Sequence, residues 1–248
     1  MISGIYFATS GMNVDQKRME ILSNNLANIN SIGFKKRNAV FTNYRDIQIN
    51  YLNKDTFLGA VSDGLIIGDI SVDLTNGSLK FTQNPLDLSI NDYNFFVVED
   101  LAKNNLLTKN GSFKLDNENY LVNCDGYKVL GEKGYIKLNN CDNLTIDSQG
   151  NIFLNNEFID KLKITSINNP QDLYITNSNY FILKDNVKIP EKKEINIKQG
   201  FLEISNVNGI NEMVDMIEAM RSYEINQKMI KMQDDTLSKA VNNIAKLQ

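Results

Sequence analysis

The chain has 248 residues, 42% of them hydrophobic, which is enough for one sizeable core and for a second beside it. Its net charge of -4, from 30 acidic against 26 basic side chains, argues against nonspecific nucleic-acid binding, and the absence of histidine removes Ser-His-Asp and Cys-His catalysis and histidine-ligated zinc. No apolar run approaches the roughly 20 residues that cross a bilayer, and the N-terminus lacks the basic-then-apolar order of a secretory signal, so neither membrane insertion nor conventional Sec export is expected.

The first element is a helix. Ile5, Met12, Met19 and Leu26 recur at a strict spacing of seven, with Ala8, Leu22 and Ile29 on the companion position and Asp15 interrupting it, which is the pattern of a coiled-coil seam. The helix runs into SNNLANINSIGFKK, where four asparagines stand. Asparagine is a poor interior residue because its amide competes for backbone hydrogen bonds. Asn24 and Asn28 stand four apart on one face and Asn25 lies beside it. Amides near an apolar seam cost stability but fix register, since misregistered packing leaves them unpaired; the plainer reading is a frayed helix end. Gly33 suits a left-handed residue that closes the helix or starts the next turn, with Phe34 packing back. The run Lys35-Lys36-Arg37 reads as a solvated turn, with a charged subunit contact as the alternative.

Between about Thr42 and Ile204 the period changes to two, with turn residues between short runs. Leu86, Leu88 and Ile90 alternate, and YLVNCDGYKVLG places Asp125-Gly126 between two alternating runs, predicting a two-residue hairpin turn. FKLDNENYLV is echoed loosely by LTIDSQGNIFL. Cys124 and Cys141 fit no metal pattern and read as buried thiols, a single disulfide being the alternative. No phosphate-binding glycine loop occurs, and thirty acidic residues guarantee accidental pairs, so no catalytic residue or cofactor is expected.

The last element is a longer helix. Met216, Tyr223, Ile230, Leu237 and Ile244 repeat at seven, accompanied by Met213, Met220, Gln227, Asp234 and Val241. Tyr6, Phe7 and Ile21 widen the first seam, and Val214, Ile217, Met229 and Met232 the second, implying helices that touch more than one neighbour; the alternative is an amphipathic helix packed on its own domain. The fold class is α+β, with terminal helices forming a coiled-coil-like stalk and a central antiparallel all-β domain, barrel-like or sandwich-like. The expected division is 1–41, 42–204 and 205–248.

Four stretches carry a family resemblance: SGMNVDQKRMEILSNNLANINSIGFKKRNAVF, TNGSLKFTQNPLDLSI, LTKNGSFKLDNENYLVNCDGYKVLG and GFLEISNVNGINEMVDMIEAMRSYEINQKMIKMQDDTLSKAVN. In order and over nearly the whole chain they resemble the bacterial flagellar basal-body rod and hook family. The resemblance implies a subunit exported unfolded by the flagellar type III apparatus and polymerised with itself and other axial proteins into a helical tube that transmits torque. One β domain suits a rod protein better than the longer hook protein. LTIDSQGNIFLNNEFIDKLKI resembles the proximal-rod protein more than the distal one, while GFKKRNAVF and RSYEINQK also suit the distal branch. INDYNFFVVED departs from the family at Asp92-Tyr93-Asn94, where a glycine-bearing turn is usual. The implied assembly interface comprises the seam residues Ile5, Met12, Met19, Leu22, Leu26, Met216, Met220, Tyr223, Gln227, Ile230, Leu237 and Ile244, with Asn24, Asn25, Asn28, Gly33 and Phe34. The rival class is an enzyme or carbohydrate-type binding module whose helices only oligomerise it.

Overall fold

The computed structural model describes residues 2–43, 46–51, 54–62, 65–91, 93–139, 143–167, 169–176, 179–184 and 195–245. Asp92 and Cys141, singled out above, lie outside the described residues, as does the side chain of Ile244. The chain divides into two compact units, one of Met1–Ala27, Arg37–Ser71 and Asn208–Gln248, the other of Asn28–Lys36 and Val72–Val207.

The first unit holds helix α1, Ile2–Ala27, and helix α2, Gly209–Ala245. Asn208 caps α2: its Oδ1 accepts the N–H groups of Ile210 and Asn211 at 3.1 and 3.3 Å, filling two of the donors that a helix start leaves orphaned. The helices run antiparallel, since Gly4 approaches Gln233, Gly11 approaches Asn226 and Asn25 bonds Glu212. Strand Arg37–Asn43 pairs with Leu65–Val72, and Asp46–Tyr51 pairs antiparallel with Lys54–Ser62, with register shifts around Asn50. No described helix is long and apolar enough to cross a membrane.

The second unit is built on the strand Asn94–Glu99, whose first five residues are all buried. One edge pairs with Asn105–Thr108; the other is shared end to end by Lys128–Val129 and Ile164–Ser166, all antiparallel. Strand alternation then serves two cores at once. Phe96 and Val98 join Leu88, Leu121, Ile136 and Ile152, while Phe95 and Val97 join Leu107, Ile167 and Phe181. The described strands form open sheets. The largest ends on Leu173–Ile175 at one side and Lys114–Leu115 at the other, so the antiparallel body is layered and not a closed barrel.

The echo between FKLDNENYLV and LTIDSQGNIFL is one turn used repeatedly. At Asp100, Asp116, Asn123 and Asp147 a side-chain oxygen accepts the N–H groups two and four residues on. The fourth residue of each, Lys103, Asn119, Gly126 or Gly150, has positive φ. This corrects the two-residue turn at Asp125-Gly126: Asn123 N–H meets Tyr127 C=O at 3.0 Å, so three residues make the turn and Gly126 takes the left-handed position. Cys124, in that turn, is exposed and not the buried thiol expected.

These turns set an acid sensitivity. The Asp100 carboxylate is held below its ordinary range, chiefly by the Asn104 backbone N–H and then the Asn104 amide. At Asp147 desolvation pushes upward, but hydrogen bonds from Asn151, Gln149 and Gly150 outweigh it and the net direction is down. A carboxylate with a depressed folded pKa stabilises fully above its unfolded value and loses that contribution as pH falls through the folded one. Thermal melts should therefore fall below about pH 4. Asp147→Ala should cost about 1 kcal/mol at neutral pH, whereas Asp147→Asn, the residue already used at position 123, should cost less and flatten the acid limb.

Candidate assembly interface

The face that α1 turns toward α2 is small and polar. Gly4, Ala8, Gly11, Asp15, Arg18, Leu22 and Asn25 alternate in steps of four and three, the spacing of a helix seam. A Cβ on Gly4 would stand 2.2 Å from the Gln233 amide, and one on Gly11 would stand 2.9 Å from that of Asn226, so a larger residue at either place would make those amide ends shift. Glu212, Met216, Ala219, Tyr223, Asn226, Ile230, Gln233, Leu237 and Ala240 follow the same steps on α2, with Glu212 and Ala219 wholly buried.

Hydrogen bonds set the register of this pair. Asp15 Oδ2 accepts Ser222 Oγ–H at 2.7 Å and the Asn226 amide at 3.2 Å. Asn25 has no exposed surface; its amide donates to Arg37 C=O at 2.9 Å and to Glu212 Oε2 at 3.0 Å, while its Oδ1 accepts Arg37 N–H at 3.0 Å. One side chain therefore joins the end of α1, the start of α2 and the first strand. Sliding either helix by a residue would leave these groups buried without partners, at about 1–3 kcal/mol for each.

Many of the large apolar side chains lie outside the seam. On α2, Ile210, Met213, Val214, Ile217, Met220, Ile225, Met229, Met232 and Val241 are exposed, Ile210 by 71% and Met232 by 60%; on α1, Tyr6 is 69% exposed and Phe7 39%. So many exposed large apolar groups on one helix exceed the scattered few normal for a free surface.

The expected interface residues divide accordingly. Leu22 and Asn25 are buried within the helix pair; Met216, Tyr223, Ile230 and Leu237 are half-buried along its seam, and Ile5, Met12, Met19 and Leu26 half-buried at its margin; Met220, Gln227 and Asn24 are exposed. Asn28 lies past the end of α1, where its Oδ1 accepts Ser31 Oγ–H and the Asn179 amide. Gly33 is buried at φ +67° against the Lys109–Asn110 backbone, and Phe34 is buried. Lys35 overturns the solvated-turn reading. Its ammonium is buried and donates to Thr75 C=O and Glu203 Oε1, each at 2.7 Å, a pairing across 168 positions that no local pattern announces.

Two of the clefts bordered by described residues lie in the β unit. The larger, about 430 Å³, is bordered by Ser31, Gly33, Asn110, Cys124 and Asp125; the smaller, about 210 Å³, by Gly77, Ser89, Asn91, Lys198 and Glu203. Each has one acidic side chain, and each acid is engaged, Asp125 by the Tyr180 hydroxyl and Glu203 by Lys35. Desolvation and then the bond to Asp125 raise the Tyr180 phenol well above its usual range, which leaves it protonated and a fixed donor.

Comparison with known proteins gives this arrangement its context. Residues 5–35 match the family described as flagella basal body rod protein, 89–154 the D1 domain of the flagellar hook protein FlgE/F/G, and 198–244 the C-terminal part of flagellar basal body rod FlgEFG proteins. The chain is 32% identical to the flagellar basal-body rod protein FlgG of Borreliella burgdorferi over 98% of both chains. The chain belongs to the flagellar basal-body rod protein family. It is also 30% identical to the rod protein FlgF of Buchnera aphidicola from Schizaphis graminum over 88% of each chain, and 27% identical to the hook-basal body complex protein FlhO of Bacillus subtilis over the whole of both. The three matched segments cover α1 with the Gly33–Lys35 passage, the central strand with its hairpins, and α2 with the strands leading to it.

The buried asparagine of this rod-family helix pair gives a sharp test. Asn25→Asp removes both donations and sets a second carboxylate against Glu212, so chemical denaturation should show a loss of about 3 kcal/mol or more. Asn13→Asp, at an exposed position of α1, should change stability by less than about 0.5 kcal/mol.

Proposed function

We propose that this rod subunit is non-enzymatic and polymerises through the outward faces of α1 and α2, with copies of itself and with other axial proteins, into the helical drive shaft of the flagellum. The observation that carries the reading is the row of exposed apolar side chains on α2, opposite a seam whose hydrogen bonds are made within the chain. The half-buried Ile5, Met12, Met19, Leu26, Met216, Tyr223, Ile230 and Leu237 border these faces and extend the proposed contact. Methionine thioethers suit it, because neighbours related by a helix meet inequivalent surfaces and a flexible side chain fits several of them. Delivery by the flagellar type III export apparatus, and a position in the cell-envelope part of the basal body, are proposed on family membership. The lean toward the proximal branch rests on LTIDSQGNIFLNNEFIDKLKI.

Imaging basal bodies from a strain lacking the chain tests the class and the branch together. Rods should stop short, and the level of the break assigns proximal or distal. Ile225→Asp and Met232→Asp test the interface. Each places a charge in what would become a dry contact, so rods and swimming should be lost, while unfolding of the free chain stays within about 0.5 kcal/mol of wild type. Lys198→Asp, on an exposed strand position, should assemble normally. Assembly of all three alike would remove the helix faces from the account.

A further inference from the structure

The chain passes between its two units at four points, Ala27 to Asn28, Lys36 to Arg37, Ser71 to Val72 and Val207 to Asn208. On the β-unit side, one of these lies next to Asn206, and two others lie within three residues of groups bonded to its carboxamide. Asn206 Oδ1 accepts Lys36 N–H at 2.7 Å, and its Nδ2 donates to Asp73 C=O at 3.0 Å and Thr75 C=O at 3.1 Å, with Thr75 Oγ1 at 3.2 Å. Lys36 C=O accepts Asp73 N–H at 2.9 Å.

The same three segments are tied a second time by charge. Lys35 Nζ donates to Thr75 C=O and Glu203 Oε1; Glu203 Oε1 also accepts Gly77 N–H at 2.7 Å, and Glu203 C=O accepts Gly33 N–H at 2.7 Å. A Cβ on Gly77 would stand 2.0 Å from Ile204 C=O, so the backbones themselves touch. Gly33–Lys36, Asp73–Gly77 and Glu203–Asn206 are thus linked pairwise at the places where the chain enters and leaves the unit. The residues come from GFKK, TNG and SNVN, three stretches far apart in sequence.

We infer that Asn206, with the Lys35–Glu203 pair, is a force-carrying joint that delivers a pull on the helices to three β-unit segments at once. Bonds loaded side by side break together at high force, whereas bonds loaded in series break one at a time. A carboxamide suits the task because it accepts on one atom and donates twice from another, so it can hold three chains where a hydroxyl or carboxylate holds fewer. Asn206 is a positioning residue here. The inference rests on the reading of the chain as a shaft subunit, for only a subunit under load needs such a joint.

Optical-trap pulling of the purified full chain tests it, with one handle at the C-terminus and the other on the exposed thiol of Cys124 in a Cys141→Ser background. After α2 peels away the load meets Asn206 directly. Asn206→Ala should at least halve the force of the step that frees residues 201–207, and Asn206→Asp, which sets a carboxylate oxygen against the Asp73 and Thr75 carbonyls, should lower it at least as much. Asn94→Ala removes a buried carboxamide bonded to Asn91 and Ser166 at another place in the unit, and should leave the force unchanged. An unchanged force in Asn206→Ala, or an equal loss in Asn94→Ala, overturns the joint. Should Asn206→Ala fail to fold, hydrogen exchange of the wild type decides: the Lys36, Asp73 and Gly77 amides should open together, and separate opening rates overturn the inference. Pulling uses the free chain, so its outcome is independent of whether rods are missing in the deletion strain.

Discussion

The helix pair depends on Asn25. A buried carboxamide that bonds Glu212 on α2 and both backbone groups of Arg37 admits one placement of three elements and penalises the others. Asp15, with Ser222 and Asn226, repeats the constraint about three turns away. Polar groups in a seam reduce its strength relative to leucine but make its register unique, the trade made by single polar residues in coiled coils. In an open polymer a rotational error in one subunit is passed to the next, so register within the subunit comes before affinity between subunits.

A seam that mixes glycine, alanine, amides and carboxylates with Leu22, Met216, Tyr223, Ile230 and Leu237 leaves many other large apolar side chains outside it. Ile210, Met213, Val214, Ile217, Met220, Ile225, Met229, Met232 and Val241 of α2 stand exposed, more apolar surface than a free helix pair normally shows.

Much of this was legible in the sequence, with one consistent error. The period of seven in α2 found Met216, Tyr223, Ile230 and Leu237, one row of the seam, but gave the other row to Met213, Met220, Gln227, Asp234 and Val241, all exposed, where Glu212, Ala219, Asn226, Gln233 and Ala240 stand. A search for apolar periodicity follows whichever row is more hydrophobic, and here that row faces out. Among the asparagines the shared face of Asn24 and Asn28 drew attention, whereas Asn25 beside it is the buried one. Gly33 and Phe34 were readable because a left-handed turn and a following apolar residue are local signals. Lys35 was not, since its carboxylate lies 168 positions away and a basic run looks the same whether solvated or paired. The hairpin at Asp125-Gly126 was placed correctly but one residue short, because the Asn123 side chain closes the turn from outside the dipeptide.

The central claim is that the outer face of α2 is covered by neighbours in the rod. Hydroxyl-radical footprinting with mass spectrometry, comparing the purified chain with isolated basal bodies, reads this from native residues without substitution. Met213, Met220, Met229 and Met232 are all exposed in the free chain. Their oxidation should fall about tenfold in basal bodies, while the exposed Tyr174 of the β unit stays reactive or falls less. Equal oxidation of the four methionines in both states would contradict the account.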